Sequence, residues 1–124
     1  MRKITYLTDA HLIVCIIQQG RADTVVQAAQ HVGAQGATVH FGRGTGIRER
    51  MGLLGVTIDE QKEVIRIIVS SEQADRVFEA MYLAGELDTP GNGIMYMTPI
   101  DRVATYIPED ILAKHDADLK SETD

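Results

Sequence analysis

Two short runs rich in β-branched residues constrain the fold of this chain more than any other feature. They are Leu12–Ile17, which reads Leu-Ile-Val-Cys-Ile-Ile, and Val64–Val69, which reads Val-Ile-Arg-Ile-Ile-Val. Short, nearly continuous apolar runs are typical of strands that are buried on both faces. Each run therefore predicts a core strand, and together they divide the chain into two similar halves.

Each predicted core strand is followed by a helical pattern. Apolar residues at helical spacing over Asp23–Val32 predict an amphipathic helix, which Gly33 can end. In the second half, Ser70 and Gln73 have the spacing of a capping box, and the apolar stripe behind them continues through Ala84. The sequence therefore predicts one helix after each core strand.

A further strand completes each half. Ala37–Phe41 follows the first helix and Ile94–Thr98 follows the second, with Pro99 either closing that strand or marking an edge. The order is strand, helix, strand, a long connection, and then strand, helix, strand again. This order predicts an α+β fold, the ferredoxin-like βαββαβ sandwich, with one antiparallel sheet and both helices on one of its faces.

The other face of this predicted sheet has no helix to cover it. Because the core runs are apolar on both faces, we expect that face to be buried against other copies of the chain. Closure of three sheets around an axis is the simplest cyclic solution. The sequence therefore predicts a homo-oligomer, with a trimer as the expected form.

The ends of the chain have a different character from residues 11–107, which we expect to form a single domain. Residues 1–10 have little periodicity and form an N-terminal extension, either a short added strand or a flexible segment. Residues 108–124 form a polar C-terminal tail that alternates acids and lysines. A brief helix over Asp110–Lys114, followed by disorder, is the expectation for this tail.

Composition excludes several classes of function. The chain has 124 residues, no Trp and a formal net charge of −6, which argues against a general nucleic-acid binder. No apolar run approaches the length of a membrane span, and the first residues lack the pattern of a signal peptide, so we expect a cytoplasmic location without membrane insertion. Cys15 lies in an apolar run and is expected to be a buried thiol.

Two glycine-rich segments are the candidate binding features. His40-Phe41-Gly42-Arg43-Gly44-Thr45-Gly46 combines backbone freedom with the planar donor fork of Arg43, which suits phosphate or carboxylate. It lacks the spacing of a P-loop or of a dinucleotide fingerprint, and ordinary hairpins also contain such glycines. Gly91-Asn92-Gly93 is the second segment, and its successive main-chain amides have the character of an anion-binding nest.

Residues 42–59 form a connection of unusual length for a compact domain, and such connections are usually functional or disordered. We expect a mobile partner-binding loop there, with a packed hairpin as the alternative. Its candidate contact residues are charged or apolar, and they are Arg48, Glu49, Arg50, Met51, Leu53 and Leu54.

Over residues 11–107 the chain resembles the PII signal-transduction family. The resemblance is carried by Gly36-Ala37-Thr38-Val39, by Phe41-Gly42-Arg43 with the long loop behind it, and by Gly91-Asn92-Gly93 before the last strand. Members of this family are trimers of ferredoxin-like subunits, and they are regulators rather than enzymes. The resemblance implies that the chain binds adenine nucleotide in clefts between subunits and contacts target proteins through the long T-loop.

The resemblance also assigns roles to individual residues. It places the phosphates against the base of the T-loop and the glycine-rich B-loop, and it places the adenine near Thr38, with Val69 as an apolar wall. The nucleotide-binding residues that it implies are Gly36, Ala37, Thr38, Phe41, Gly42, Arg43, Gly44, Thr45, Gly46, Val69, Gly91, Asn92 and Gly93.

The chain departs from the family pattern at several charged positions. Ile94 stands where the family has a lysine after the B-loop, and Thr105 and Ile107 stand where it has two arginines. Fewer charge-assisted donors weaken binding most for the most highly charged ligand. We therefore expect ADP, AMP or cyclic AMP to compete with ATP as the ligand. The lysine that pairs with 2-oxoglutarate in nitrogen-sensing members falls near Glu63, beside Lys62, which argues against sensing of that acid.

The T-loop departs from the pattern as well. It contains no Tyr or Ser between Gly42 and Asp59, which removes the usual sites of covalent modification. The resemblance thus implies a divergent, PII-like regulator of a target protein. That target is a membrane transporter or an enzyme outside nitrogen assimilation.

Two other classes of function stay open at this point. A small nucleotide-hydrolysing enzyme would use the acidic residues Asp59, Glu60 and Glu63, which solvated charge explains better. A metal-binding trimer of the cation-tolerance type would use the histidines, but these form no i, i+4 pair and no Cys-x-x-Cys motif accompanies them. We therefore expect no catalysis and no tightly bound metal, and we note His40 as a pocket wall or pH-sensitive group.

Overall fold

The computed structural model describes residues 2–44, 60–114 and 119–123. Its elements along the chain are β1 (Lys3–Leu7), β2 (Ala10–Gln18), α1 (Ala22–His31), β3 (Thr38–Gly44), β4 (Glu60–Ser70), α2 (Ser71–Ala84), β5 (Gly93–Ile100), β6 (Val103–Ala104), α3 (Glu109–Lys114) and β7 (Leu119–Thr123).

The four long strands form one antiparallel sheet in the order β3-β4-β2-β5. The two core strands predicted from the β-branched runs, β2 and β4, lie at its centre, and β3 and β5 lie at its edges. This arrangement confirms the ferredoxin-like βαββαβ fold. Both core strands extend beyond the predicted bounds, because their backbone pairing continues where the side chains become polar.

The core lies between this sheet and the two helices. Alternate residues of the central strands face the helices, and Ile13, Cys15 and Ile65 are completely buried there. Val25 from α1 and Met81 from α2 are buried against them. Burial raises the pKa of the Cys15 thiol to about 11, because the thiolate is poorly solvated in this core. The prediction of a buried thiol is confirmed.

The remaining residues of the same strands lie on a face that α1 and α2 leave uncovered. Ile68, Ile94 and Tyr96 are 52%, 61% and 47% exposed there. The register brings Ile94 and Tyr96 opposite Ile16 and Val14, so the exposed residues continue the apolar surface of β2. The predicted apolar character of this face is present in the described part of the chain.

The two ends of the chain form a second, three-stranded sheet in the order β6-β1-β7. Of the two alternatives for residues 1–10, the structure contains the added strand. The expectation of disorder after the brief helix was wrong for Leu119–Thr123, which pairs with β1 from Leu7↔Leu119 to Lys3↔Thr123. A polar composition did not prevent this, since the main chain supplies the hydrogen bonds and β1 offers a partner.

The capping box predicted at the start of α2 was wrong in its chemistry. Ser70 is the N-cap residue, but its side chain makes no cap hydrogen bond. Instead the Asp9 carbonyl oxygen accepts a hydrogen bond from the Ser71 N–H at 3.1 Å. Gln73 lies against Gly33, the glycine that ends α1, rather than returning to the cap. The chain before β2 thus supplies the cap that sequence spacing assigned to Ser70.

Candidate functional site

The first glycine segment is a strand as far as it is described. Gly42, Arg43 and Gly44 belong to the edge strand β3, which corrects the expectation that the strand ends at Phe41. Gly42 is opposite Lys62 and Gly44 is opposite Glu60. Regular pairing with β4 explains the extension, since the backbone groups of three more residues are satisfied. Arg43 is exposed at this edge.

Lys62 is a basic residue beside this segment, and the family resemblance assigned it no role in nucleotide binding. Its side chain lies along β3, since a Cβ added to Gly44 would be 3.4 Å from Lys62 Cγ. The residue is only 8% exposed. A long aliphatic stem that packs on a glycine is the usual way for a lysine to be buried while its ammonium group stays polar. Two basic residues, Arg43 and Lys62, therefore lie at the base of the long loop.

The second glycine segment, Gly91-Asn92-Gly93, is a tight turn that other side chains hold in place. The Gln18 side-chain amide donates to the Gly91 carbonyl oxygen at 2.9 Å, and the Gln18 N–H donates to the Asn92 carbonyl oxygen at 3.2 Å. The Asn92 side-chain amide donates to the Glu86 and Gly85 carbonyl oxygens at 2.9 and 3.3 Å. The turn is therefore shaped before any ligand arrives.

Asn92 has mainly a structural part in this turn. Its side-chain NH₂ group holds the preceding loop, and its main-chain N–H donates to the Thr89 carbonyl oxygen at 3.2 Å. Both donors of the residue are thus engaged within the turn. Of the three residues in the predicted nest, the flanking Gly91 and Gly93 are the ones whose exposed backbone a ligand can approach.

A salt bridge fixes the same turn to the first helix. Arg21, the N-cap residue of α1, places its guanidinium 2.8 Å from the Glu86 carboxylate and donates to the Gly85 carbonyl oxygen at 3.4 Å. Glu86 has a positive φ of 50°, a backbone conformation that is uncommon for a residue other than glycine. Neither residue stood out in the sequence, because the pair is 65 positions apart.

Glu63 has a defined structural role that the sequence did not reveal. One carboxylate oxygen accepts hydrogen bonds from the Gly20 N–H and from the Ala22 N–H, the latter at 3.4 Å. The Ala22 N–H belongs to the first turn of α1 and has no partner within the helix, and Gly20 lies just before the N-cap, so Glu63 caps that helix from strand β4. Its predicted companion Asp59 lies outside the described residues. Glu63 is therefore a helix cap in this fold.

The structure separates the predicted nucleotide-binding residues into two groups. Phe41 and Gly93 lie in one row across the sheet, through Glu63 and Ile17, with about 14 Å between the edge strands. The two glycine segments are therefore at the same end of the sheet, on opposite edges. Val69 is six residues further along β4, or about 20 Å away, at the other end.

The second group is the predicted adenine wall. Gly36, Ala37 and Thr38 are exposed at the start of β3. Val69, by contrast, is 5% exposed and belongs to the core under the helices. Its neighbour Ile68 is half exposed on the uncovered face, and sequence reasoning missed it. The two cannot be distinguished by hydropathy, because β4 is apolar on both faces.

A basic pair lies beside Thr38. Arg66 is opposite Thr38 in the sheet, and its guanidinium contacts His40 Nε2. The other ring nitrogen of His40 is 3.3 Å from the Phe41 carbonyl oxygen. With a proton on Nδ1, the ring donates to that carbonyl and accepts from Arg66, so the neutral form fits both contacts. His40 is thus exposed on the uncovered face, as a neighbour of the predicted adenine wall.

Several predictions fall on residues that the structure does not describe. These are the T-loop residues Thr45, Gly46, Arg48, Glu49, Arg50, Met51, Leu53 and Leu54. Within the described ranges, no three His, Cys, Asp or Glu side chains are grouped as metal ligands. None of the described helices is long and apolar enough to span a bilayer.

Comparison with known proteins agrees with this geometry. The sequence model of the family "Nitrogen regulatory protein P-II" matches residues 10–109. Among solved structures, the chain is similar to PII from Arabidopsis thaliana bound to citrate, with 19% identity and a TM-score of 0.58. That match covers 76% of this chain and 79% of the other. No curated protein matches the sequence.

Proposed function

Because this chain belongs to the P-II family of nitrogen regulatory proteins, and is therefore a signalling protein of the P-II type, we propose that it responds to an adenine nucleotide. The nucleotide binds in clefts between copies of the chain. Binding changes the affinity of the segment that follows Gly44 for a target protein, which is a membrane transporter or an enzyme. A ligand can do this only if it binds one arrangement of that segment more tightly than the other.

The distance between the two groups of predicted nucleotide-binding residues is the main support for this proposal. Phosphates that contact Gly93 and a base that contacts residues near Val69 would have to span the length of the main sheet. A single mononucleotide is too short for that distance. If one copy supplies the phosphate-binding end and its neighbour supplies the adenine wall, both groups meet at one ligand. The distance thus supports a site between subunits.

The uncovered apolar face supports assembly in the same way. Three large apolar side chains there, Ile68, Ile94 and Tyr96, are about half exposed in the single chain. A contiguous apolar patch of this kind marks an interaction surface in soluble proteins. We propose that three copies bury this face around a common axis, as cytoplasmic trimers.

This assembly can be tested by Tyr96→Asp, which places a charge on the uncovered face. We expect the trimer to dissociate to monomers in size-exclusion chromatography with light scattering. Leu83→Asp is the matched control, since Leu83 is equally apolar and 63% exposed but lies on helix α2. A Tyr96→Asp variant that stays trimeric would refute the role of this face.

The charges near the phosphate end bear on which nucleotide is preferred. Among the described residues, Arg43 and Lys62 are the basic residues at the first glycine segment, and Ile94 is exposed at the position where the family has a lysine. Two cations offset the charge of AMP or ADP better than that of ATP. We therefore propose ADP, AMP or cyclic AMP as the ligand ahead of ATP.

Calorimetric titration with ATP, ADP, AMP and cyclic AMP tests the nucleotide itself. Arg43→Ala should lower the affinity of the preferred nucleotide by about tenfold or more, since it removes a charge-assisted donor. Arg76→Ala is the control, because Arg76 is an exposed arginine on α2. An absence of binding heat with all four nucleotides, in the assembled protein, would contradict the proposal.

The proposed role is regulatory and includes no catalytic step and no resident metal. Glu63, the described member of the acidic set, is engaged as the cap of α1. Incubation with the bound nucleotide should therefore release no phosphate over hours. Sustained turnover by the purified protein would instead favour a nucleotide hydrolase.

A further inference from the structure

A cavity of about 490 Å³ lies at the end of the main sheet remote from the two glycine segments. It is enclosed by the start of β2, the end of β4, the first turn of α2 and the chain that follows α1. Its volume is within the range of sites for small organic ligands. None of the residues that the P-II resemblance implicates lines it, apart from Val69 at its floor.

The interior of this cavity is aliphatic. Its apolar side chains come from six separate elements or connections, and the largest are Leu7, Ile68, Val69, Val103 and Ile111. A ligand that covers this wall removes its own apolar surface from water. Burial of aliphatic surface is the main favourable term that such a wall can supply, at roughly 25 cal/mol per Å².

The charged side chains among the described residues that line the cavity are all negative. Asp9 and Glu72 are exposed carboxylates in its lining, together with the neutral side chains of Gln35, Ser70 and Gln73. No Lys, Arg or His is present among the described residues that line it. Arg102, next to Val103 in the chain, is outside this lining and lies over the Tyr6 ring at 4.7 Å.

The helix dipole does not cancel this negative charge. The N-terminus of α2 is at the cavity and carries the equivalent of roughly half a positive charge, whereas two carboxylates carry about two negative ones. An anionic ligand, such as a nucleotide, is therefore repelled from this cavity. A cation that reaches the two carboxylates is attracted to it.

We propose that this cavity binds a small amphipathic amine, a ligand with a hydrocarbon or aromatic body and a protonated amino group. The body lies against the aliphatic wall of Leu7, Val103 and Ile111, and the ammonium group lies at the mouth between Asp9 and Glu72. The cavity shares Val69 with the proposed adenine wall, whereas the proposed phosphate contacts lie at the opposite end of the sheet. It does not depend on the nucleotide proposal.

Occupancy of the cavity also links the terminal sheet to the core. Leu7, Val103 and Ile111 belong to β1, β6 and α3, which are additions to the βαββαβ fold. Val69 and Ser70 belong to β4, and the residues after them begin α2. An amine in this cavity contacts both sets, so it stabilises the docking of the terminal sheet onto the main sheet.

Three probes of one size test the proposal on the full-length protein: 3-phenylpropylamine, 3-phenyl-1-propanol and 3-phenylpropionate. Calorimetry and thermal unfolding should rank their affinities as amine, then alcohol, then carboxylate. We expect the amine to bind about tenfold more tightly than the carboxylate, because each partly exposed charge contributes a modest amount. Equal binding of the amine and the carboxylate, or no binding of the amine at millimolar concentration, would overturn the proposal.

Variants locate the site. The double variant Asp9→Asn with Glu72→Gln should remove the preference for the amine and leave binding of the alcohol unchanged. Glu79→Gln is the matched control, an exposed acid on the same helix outside the cavity lining. Val103→Phe should fill the cavity and abolish binding of all three probes, whereas Ile4→Phe on the exposed side of β1 should not. Undiminished amine binding in Val103→Phe would place the ligand elsewhere and refute the assignment.

Discussion

The two glycine segments at one end of the sheet are held in different ways. Gly42-Arg43-Gly44 is an edge strand, and its conformation comes from main-chain pairing with β4. Gly91-Asn92-Gly93 is a turn, and side chains of Gln18 and Asn92 hold it through hydrogen bonds to carbonyl oxygens. The same residue type thus serves two purposes. In the strand the glycines leave room for Lys62, and in the turn they permit a backbone path that other residues cannot follow.

This difference indicates which segment tolerates change. A strand glycine without a positive φ can accept a methyl group if its neighbour moves slightly. A turn glycine cannot accept a methyl group if a backbone group occupies the place of the added Cβ. The four predictions below test the contrast by substitution in each segment and in the contacts between them.

The largest effect is expected for Gly93→Ala. A Cβ at this position would overlap the Ile16 carbonyl oxygen and lie 3.0 Å from the Ile17 Cα, and neither is a side chain that can move aside. The free energy of unfolding should fall by about 3 kcal/mol or more. Denaturant unfolding measures it. Gly91→Ala is the control, since its positive φ of 84° is unfavourable but no atom lies within 4 Å, and it should cost about 1 kcal/mol. Equal losses in the two variants would contradict the steric argument.

Asn92→Ala should have the next largest effect. It removes two hydrogen bonds to the carbonyl oxygens of Gly85 and Glu86, and we expect a loss of about 1–2 kcal/mol of unfolding free energy. Asp88→Ala, at an exposed position in the same loop, should change stability by less than about 0.5 kcal/mol. Amide exchange adds a local measurement, because the Gln18 N–H donates to Asn92 and should exchange faster in the variant. Unchanged exchange would mean that the turn keeps its shape without the side chain.

Glu63→Ala tests the contact between strand β4 and helix α1. Glu63 lies in the row of paired residues that runs from Phe41 to Gly93 across the sheet. The carboxylate accepts from the Gly20 and Ala22 N–H groups, so its loss should cost about 1 kcal/mol, as for other helix caps. Glu63→Gln keeps an oxygen acceptor and should cost less. Chemical denaturation of the two variants separates them. A larger loss in Glu63→Gln than in Glu63→Ala would contradict the capping role.

The smallest effect is expected for Gly44→Ala in the strand segment. The nearest atom to the added methyl group would be Lys62 Cγ at 3.4 Å, part of a flexible side chain. The free energy of unfolding should change by less than about 0.5 kcal/mol, while the affinity for nucleotide falls if Lys62 is displaced. Unfolding and calorimetry on one preparation give both values. A destabilisation as large as that of Gly93→Ala would remove the distinction between the two segments.

Hydrophobic periodicity predicted the main sheet because its signals are local. The β-branched runs and the two apolar helical stripes lie within single elements, and each specifies its own secondary structure. The order of those elements then leaves few ways to form an antiparallel sheet with two helices. The apolar sheet face was predicted from the same runs, because the residues on both faces of the strand Leu12–Ile17 are apolar.

The contacts that position the candidate site could not be predicted, because they join residues that are distant in sequence. Arg21 pairs with Glu86, Glu63 caps α1, and the Asp9 carbonyl caps α2. None of these has a spacing rule. The burial of Val69 under the helices could not be predicted for a second reason, because strand register relative to the helices is not encoded by a run that is apolar throughout.

The pairing of β1 with β7 has a consequence for the order of folding. Leu7 is opposite Leu119, so this sheet closes a loop that contains nearly the whole chain. Closure of so long a loop costs more entropy than the hairpin-like pairings of the main sheet, and it gains few contacts until the core exists. The terminal sheet should therefore form last and open first. In native-state hydrogen exchange, the amides of Lys3–Leu7 should lose protection at a lower denaturant concentration than those of β2. The two ends of the polypeptide should lose protection together.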